Sequence, residues 1–124
     1  VAGMVKPDEM ATDVAVREVA EETGLHIPTD CLVPIARYYS SPGGTDERLQ
    51  LFCALCQLPD DLESIHGLPE EGEDIRVRCF AADAVFDAML EGTINNAASI
   101  IALQWLQIHR DALRQRMAVH DLPL

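Results

Sequence analysis

Three glutamates, Glu18, Glu21 and Glu22, lie inside a segment of otherwise helical periodicity, and this constrains the fold more than any other feature. From Asp8 to Thr23 the pattern predicts a helix. Thr12, Val16, Val19, Ala20 and Thr23 fall within about a third of the helical circumference and form a narrow core stripe. Gly24 follows, at the position where helices commonly end on a left-handed residue. At 100° per residue the three glutamates fall within roughly 100° of one another, opposite that stripe. Like charges at i,i+3 and i,i+4 each cost a few tenths of a kcal/mol, and Arg17 is the only cation in the segment. Such a helix must bury its stripe on a neighbouring layer. Its acidic face suits solvent and a hard divalent cation equally well.

The rest of the chain supplies that layer. Leu32–Tyr39 and Arg48–Leu58 read as strands, joined through Ser40-Ser41-Pro42-Gly43-Gly44. Pro59–Asp74 is long, acidic and broken by Gly67, Pro69 and Gly72, the profile of a lid or binding loop. Within it, His66 beside Gly67 reads as a loop-fixing residue rather than a base. Ile75–Phe80 reads as a third strand. A short helix over Ala82–Glu91 closes at Gly92, and a longer one runs from Asn96 to Met117 with Ile100, Leu103, Leu106 and Leu113 on one face. The order implies a mixed α/β layer structure.

At 124 residues the chain is one domain, residues 1–124, with a core of its own. Nine Lys and Arg against 21 Asp and Glu give a formal charge of −12, which argues against nucleic acid and anionic membranes as partners. No apolar run approaches the roughly 18–20 residues needed to span a bilayer, and no basic-then-apolar leader begins the sequence. Cys53 and Cys56 form a CxxC within the second strand, where alternation points them to opposite faces. With no second CxxC, core thiols in a reducing cytoplasm are the expected reading, with Cys31 and Cys79 isolated.

Spacing turns the acidic helix into something specific. Five residues after Gly3 comes Glu9, and seven more lead to Arg17-Glu18-Val19-Ala20-Glu21-Glu22-Thr23-Gly24-Leu25. The pattern GX5EX7REUXEEXGU, with U aliphatic, is matched at every specified position. At average residue usage a chance match is on the order of one in ten million. The chain therefore resembles the Nudix hydrolases. Ser41-Pro42-Gly43-Gly44-Thr45-Asp46-Glu47-Arg48, the Ile65-His66-Gly67-Leu68 stretch with Glu70, Glu71, Glu73 and Asp74 through Val77, and Asn95 through Leu106 are similar to bacterial ADP-ribose pyrophosphatases.

The resemblance implies an α/β/α sandwich around a mixed sheet, here lacking its N-terminal strands. It implies Mg²⁺, or Mn²⁺, held by Glu18, Glu21 and Glu22 with the backbone carbonyl of Ala2. Glu9 and Arg17 are structural on this reading, with Arg17 orienting the carboxylates. Glu71 is the implied general base, and Glu73 a ligand that joins when its loop closes. Met4, Ser41, Pro42, Gly43 and Glu47 match substrate-contacting positions, although Ser41–Glu47 also fits a simple tight turn.

The implied reaction is hydrolysis of ADP-ribose to AMP and ribose 5-phosphate. Another nucleotide sugar such as GDP-mannose or UDP-glucose, or a non-catalytic ADP-ribose sensor, are the rival readings. The family also implies a homodimer built with an N-terminal region. The box glycine at residue 3 leaves no room for that region, so the expectation is the C-terminal portion of a longer chain.

Overall fold

A tight turn delays the first helix. The Glu9 carboxylate reaches back to the Lys6 N–H at 3.0 Å, while the Glu9 N–H donates to the Lys6 carbonyl at 3.1 Å. Pro7 and Asp8 form the tip of this turn, so the helix expected from Asp8 begins at Ala11. In the computed structural model, residues 1–62, 65, 66, 70, 72 and 74–119 are described. In chain order the elements are α1 (Ala11–Thr23), one 3-10 turn (Thr29–Cys31), β1 (Leu32–Tyr39), β2 (Arg48–Ala54), β3 (Ile65–His66), β4 (Ile75–Arg76), α2 (Ala82–Leu90) and α3 (Ala97–Val119). The mixture of helices and strands is the α/β class expected from the sequence.

The chain divides into two units. The first is built on Val1–Leu32 and Cys56–Cys79. Here α1 packs against the 3-10 turn and β3, and β3 pairs antiparallel with β4, Ile65 opposite Arg76 and His66 opposite Ile75. Val14, Ile27, Cys31 and Leu62 are its buried apolar side chains. Each large aliphatic among them contributes roughly 1.5–3 kcal/mol by leaving water. Glu22 is buried with them. Cys56 is half-buried, and burial, reinforced by Cys31, pushes its thiol up and away from the reactive thiolate.

The second unit is built on Val33–Leu55 and Phe80–Asp121. Here β1 pairs with β2, and α3 packs on β2 and on α2. Leu55, Phe86, Met89 and Leu113 are buried. Asn96 caps α3 by accepting the Ser99 N–H on its side chain at 3.0 Å, the standard satisfaction of an orphan donor in a first helical turn. Arg110 on α3 pairs with both carboxylate oxygens of Asp83 on α2, the longer contact being 3.4 Å.

Three strand expectations change. β2 stops at Ala54 instead of Leu58, because the chain then turns, with the Leu62 N–H on the Pro59 carbonyl at 3.2 Å. Cys56 therefore lies past the strand that holds Cys53. β4 covers only Ile75–Arg76 rather than Ile75–Phe80, its length matched to a two-residue partner. That partner, β3, lies within the stretch expected to be loop.

Candidate functional site

α1 carries the acidic cluster, and its last turn is fixed by local chemistry. Thr23 Oγ1 donates to the Val19 carbonyl at 2.5 Å and accepts the Leu25 N–H at 3.2 Å. Gly24 ends the helix at φ 72°, and its N–H closes on the Ala20 carbonyl. The left-handed backbone there is what the sequence led one to expect.

The acidic face is not a solvated one. Glu22 is 7% exposed, more enclosed than Val16 or Val19 of the expected core stripe, and Val14, outside that stripe, is the deepest residue of the helix. The reason is the segment before the helix. Ala2 donates its N–H to Glu22 Oε1 at 3.1 Å. Ala2 is also the residue whose carbonyl the family resemblance assigns to the metal, and its N–H is engaged by Glu22. Buried carboxylates need such donors, because an unpaired one is costly to desolvate.

Glu18 is enclosed by the same segment. A Cβ at residue 3 would run into its side chain, so the box glycine leaves the space that this glutamate fills. Arg17 is shared, its Nη1 on Glu9 Oε1 at 2.8 Å and its Nη2 on Glu18 Oε1 at 3.2 Å. The Lys6 N–H and then the Arg17 guanidinium hold the Glu9 carboxyl below its usual range. Glu9, followed by Glu18, holds Arg17 above its already high value. Arg17 thus orients Glu18 through charge-assisted bonds, with Glu9 as its counterweight. A cleft of about 400 Å³ at the start of α1 is lined by Asp8, Glu9, Met10, Asp13, Val14 and Arg17, and by none of the three glutamates of the cluster.

Glu18 and Glu22, one helical turn apart, offer hard oxygen donors of the type Mg²⁺ takes, and Gly3 leaves the cradle beside Glu18 open of any side chain of its own. In donor chemistry and in this cradle the residues fit a divalent cation. Among the described residues, however, no three His, Cys, Asp or Glu side chains meet closely enough to hold an ion on their own. Glu21 sits half-buried on the same helix without completing such a group. Glu71 and Glu73 lie outside the described residues.

The remaining expected residues divide between the units. Met4, in the first, is 86% exposed. Ser41, Pro42, Gly43 and Glu47, in the second, belong to a hydrogen-bonded turn joining β1 to β2. Ser40 N–H donates to the Glu47 carbonyl at 3.1 Å, Gly44 and Thr45 N–H both donate to the Ser41 carbonyl at 2.9 Å, and Glu47 N–H donates to Thr45 Oγ1 at 3.2 Å. All four residues are exposed. Arg48 lies over the Tyr39 ring, 5.8 Å from its centroid, at the base of the turn. That pair carried no sequence signal beyond its position at two strand ends.

The NUDIX domain model matches residues 1–110, the stretch that contains Gly3, Glu9, Arg17, the glutamates and Gly24. The chain belongs to the NUDIX family. Among its relatives, the ADP-ribose pyrophosphatase of Escherichia coli is 42% identical over 118 residues, covering 95% of this chain and 55% of the relative. The ADP-ribose pyrophosphatase of Haemophilus influenzae is 40% identical over 117 residues, 93% of this chain and 52% of the relative. A GDP-mannose pyrophosphatase of Cronobacter sakazakii is 31% identical over 108 residues, 86% of this chain and 53% of the relative. This NUDIX chain spans about half the length of the relatives it matches. Among the described residues, no helix is long and apolar enough to cross a membrane.

Proposed function

We propose that this NUDIX chain is the catalytic domain of a Mg²⁺-dependent pyrophosphohydrolase that cleaves ADP-ribose to AMP and ribose 5-phosphate. The observation that carries the reading is the pair of enclosed carboxylates on α1, with Glu18 held by Arg17 against Gly3 and Glu22 by the Ala2 N–H. The resemblance to two ADP-ribose pyrophosphatases directs the choice of substrate.

Glu18 and Glu22 hold the cation, with Glu21 and the Ala2 carbonyl as further donors, and Mn²⁺ substitutes for Mg²⁺. When bound, the metal neutralises the pyrophosphate and acidifies the attacking water. Arg17 keeps the Glu18 carboxylate aimed while the charge on the substrate changes. Glu71 takes the proton from the attacking water, and Glu73 adds a carboxylate to the metal group. The exposed Ser41, Pro42, Gly43 and Glu47, together with Met4, contact the nucleoside diphosphate. The protein works as a cytoplasmic homodimer.

The test is product analysis. ADP-ribose incubated with the protein and Mg²⁺ yields AMP and ribose 5-phosphate, and chelation stops the reaction. Glu71→Gln retains Mn²⁺ binding and slows turnover by ~10²–10⁴-fold. An unchanged rate in that variant moves the base to another residue. The likeness to a GDP-mannose pyrophosphatase supports a second reading, in which the substrate is another nucleotide sugar. A panel of ADP-ribose, GDP-mannose and UDP-glucose separates the two. Binding of ADP-ribose without any product identifies a sensor instead.

A further inference from the structure

The hairpin of β1 and β2 turns a cation and a ring toward solvent together. Tyr39 ends β1 and is 51% exposed, and Arg48 opens β2 and is exposed as well. The Arg48 Cζ lies 5.8 Å from the Tyr39 ring centroid, within the range of a cation–π attraction. Asp46 and Glu47 are its neighbours along the chain, yet neither pairs with it. Among the described residues Arg48 enters no ion pair. The guanidinium rests by the ring, and its N–H donors keep their capacity for an anion.

Alternation adds a second guanidinium. Arg37 stands two residues before Tyr39 on β1, so the two share a face, about 7 Å apart along the strand. Arg37 is exposed and also enters no ion pair among the described residues. Two of the nine Lys and Arg in this chain thus flank one exposed ring, although 21 Asp and Glu were available to pair with them. The frame beneath is set in advance, because the Ser40 N–H closes on the Glu47 carbonyl at 3.1 Å between Tyr39 and Arg48.

Such a face suits one kind of ligand. Guanidiniums take a phosphate group through charge-assisted N–H bonds, and an aromatic ring stacks on a flat heterocycle. Three side chains are enough for a single phosphate and a single base. A formal charge of −12 repels an extended polyanion. We propose that the exposed face of the β1–β2 hairpin is a nucleoside-phosphate subsite, in which Arg37 and Arg48 hold the phosphate and the Tyr39 ring stacks on the base. The subsite deepens the pyrophosphohydrolase reading and rests on it for the identity of the substrate, while its chemistry is tested by binding alone.

The experiment titrates AMP and adenosine into wild type, Arg37→Gln, Arg48→Gln, Tyr39→Phe and Tyr39→Ala by calorimetry in the presence of a chelator. Wild type is expected to bind AMP ~10–100-fold more tightly than adenosine, the margin of a charge-assisted bond. That margin collapses in Arg48→Gln and narrows in Arg37→Gln. Tyr39→Phe keeps wild-type affinity, whereas Tyr39→Ala weakens AMP and adenosine alike by ~10-fold. Thermal midpoints move by less than about 4 °C, as for surface substitutions, so the losses belong to the site and not to the fold.

Equal affinity for AMP and adenosine in wild type overturns the proposal. So does a margin that persists in Arg48→Gln, or wild-type affinity in Tyr39→Ala. KM for ADP-ribose in the same variants names the source of the nucleotide. A KM that rises in step with the lost AMP affinity makes the site that of the substrate's nucleotide half. An unchanged KM beside lost AMP affinity makes it a site for free nucleotide, and both results support the subsite. A wild type that binds AMP on this face but hydrolyses nothing refutes the pyrophosphohydrolase reading alone.

Discussion

Ala2 donates its backbone N–H to Glu22 Oε1 at 3.1 Å, so the segment before α1 and the most enclosed carboxylate of the helix hold each other in place. A glutamine at 22 keeps an oxygen that can accept this bond but loses the charge that a cation needs. Glu22→Gln is therefore expected to shift unfolding free energy by less than about 1 kcal/mol and to reduce Mg²⁺-dependent AMP release to background. Chemical denaturation and a coupled phosphate assay check the two halves. Turnover like wild type would remove Glu22 from the proposed metal site.

Gly3 and Glu18 are in tighter apposition still, since any Cβ at residue 3 would strike the Glu18 side chain. Gly3→Ala is expected to displace either the leading segment or the glutamate. The consequence is a Mg²⁺ requirement raised by ~10–100-fold, the usual cost of disturbing the groups that orient a metal ligand. Titration of activity against Mg²⁺ measures it, and an unchanged midpoint would show that Glu18 moves aside without loss.

The second unit offers a pH test away from any catalytic group. The Arg110 guanidinium bonded to Asp83 holds the Asp83 carboxyl below its ordinary value of 3.8. In the window between the lowered folded value and 3.8, the unfolded chain binds more protons than the folded one, so stability rises with pH there. The contribution is complete above the unfolded value and disappears as pH falls through the folded one. The stability difference between wild type and Asp83→Asn is thus expected to be flat from neutrality down to about pH 5 and to shrink below it. Because the pair is exposed, added salt should shrink the difference as well. Denaturant titrations at several pH values supply the curve; a difference that grows on acidification would contradict the pairing.

Leu113 is 8% exposed on α3 and shares its unit's core with Leu55, Phe86 and Met89. Leu113→Ala is expected to cost about 2–5 kcal/mol through lost transfer energy and the cavity left behind. Urea unfolding measures this directly. A loss below about 1 kcal/mol would mean that the site collapses around the smaller side chain.

Local signals carried much of this structure. Gly24 and the limits of β1, Leu32–Tyr39, follow from turn chemistry and periodicity and agree with the structure. The start of α3 lies one residue from its expected place because Asn96 caps it from outside. The spacing of Gly3, Glu9, Arg17 and the glutamates was legible because a motif constrains residue types along the chain. Burial of Glu22 was not, since helical periodicity says which residues share a face and nothing about what lies on it. The segment before α1 covers that face. β3 escaped notice because two residues cannot display alternation. The approach of His66 to Gly24, where a Cβ would lie 2.7 Å from His66 Cε1, depends on packing between α1 and β3, which no local pattern encodes.

The turn between β1 and β2 has a longer reach than its size suggests. Its bonds run between its own residues, from Ser40 to Glu47, from Gly44 and Thr45 to Ser41, and from Glu47 to Thr45. Conformational entropy for this stretch is thus surrendered when the chain folds, and a ligand arriving later meets residues already ordered. The turn's hydrogen bonds use the backbone of Glu47 and not its side chain. Under the substrate-contact role proposed for Glu47, exchanging its side chain would alter substrate preference on an unaltered hydrogen-bonded frame.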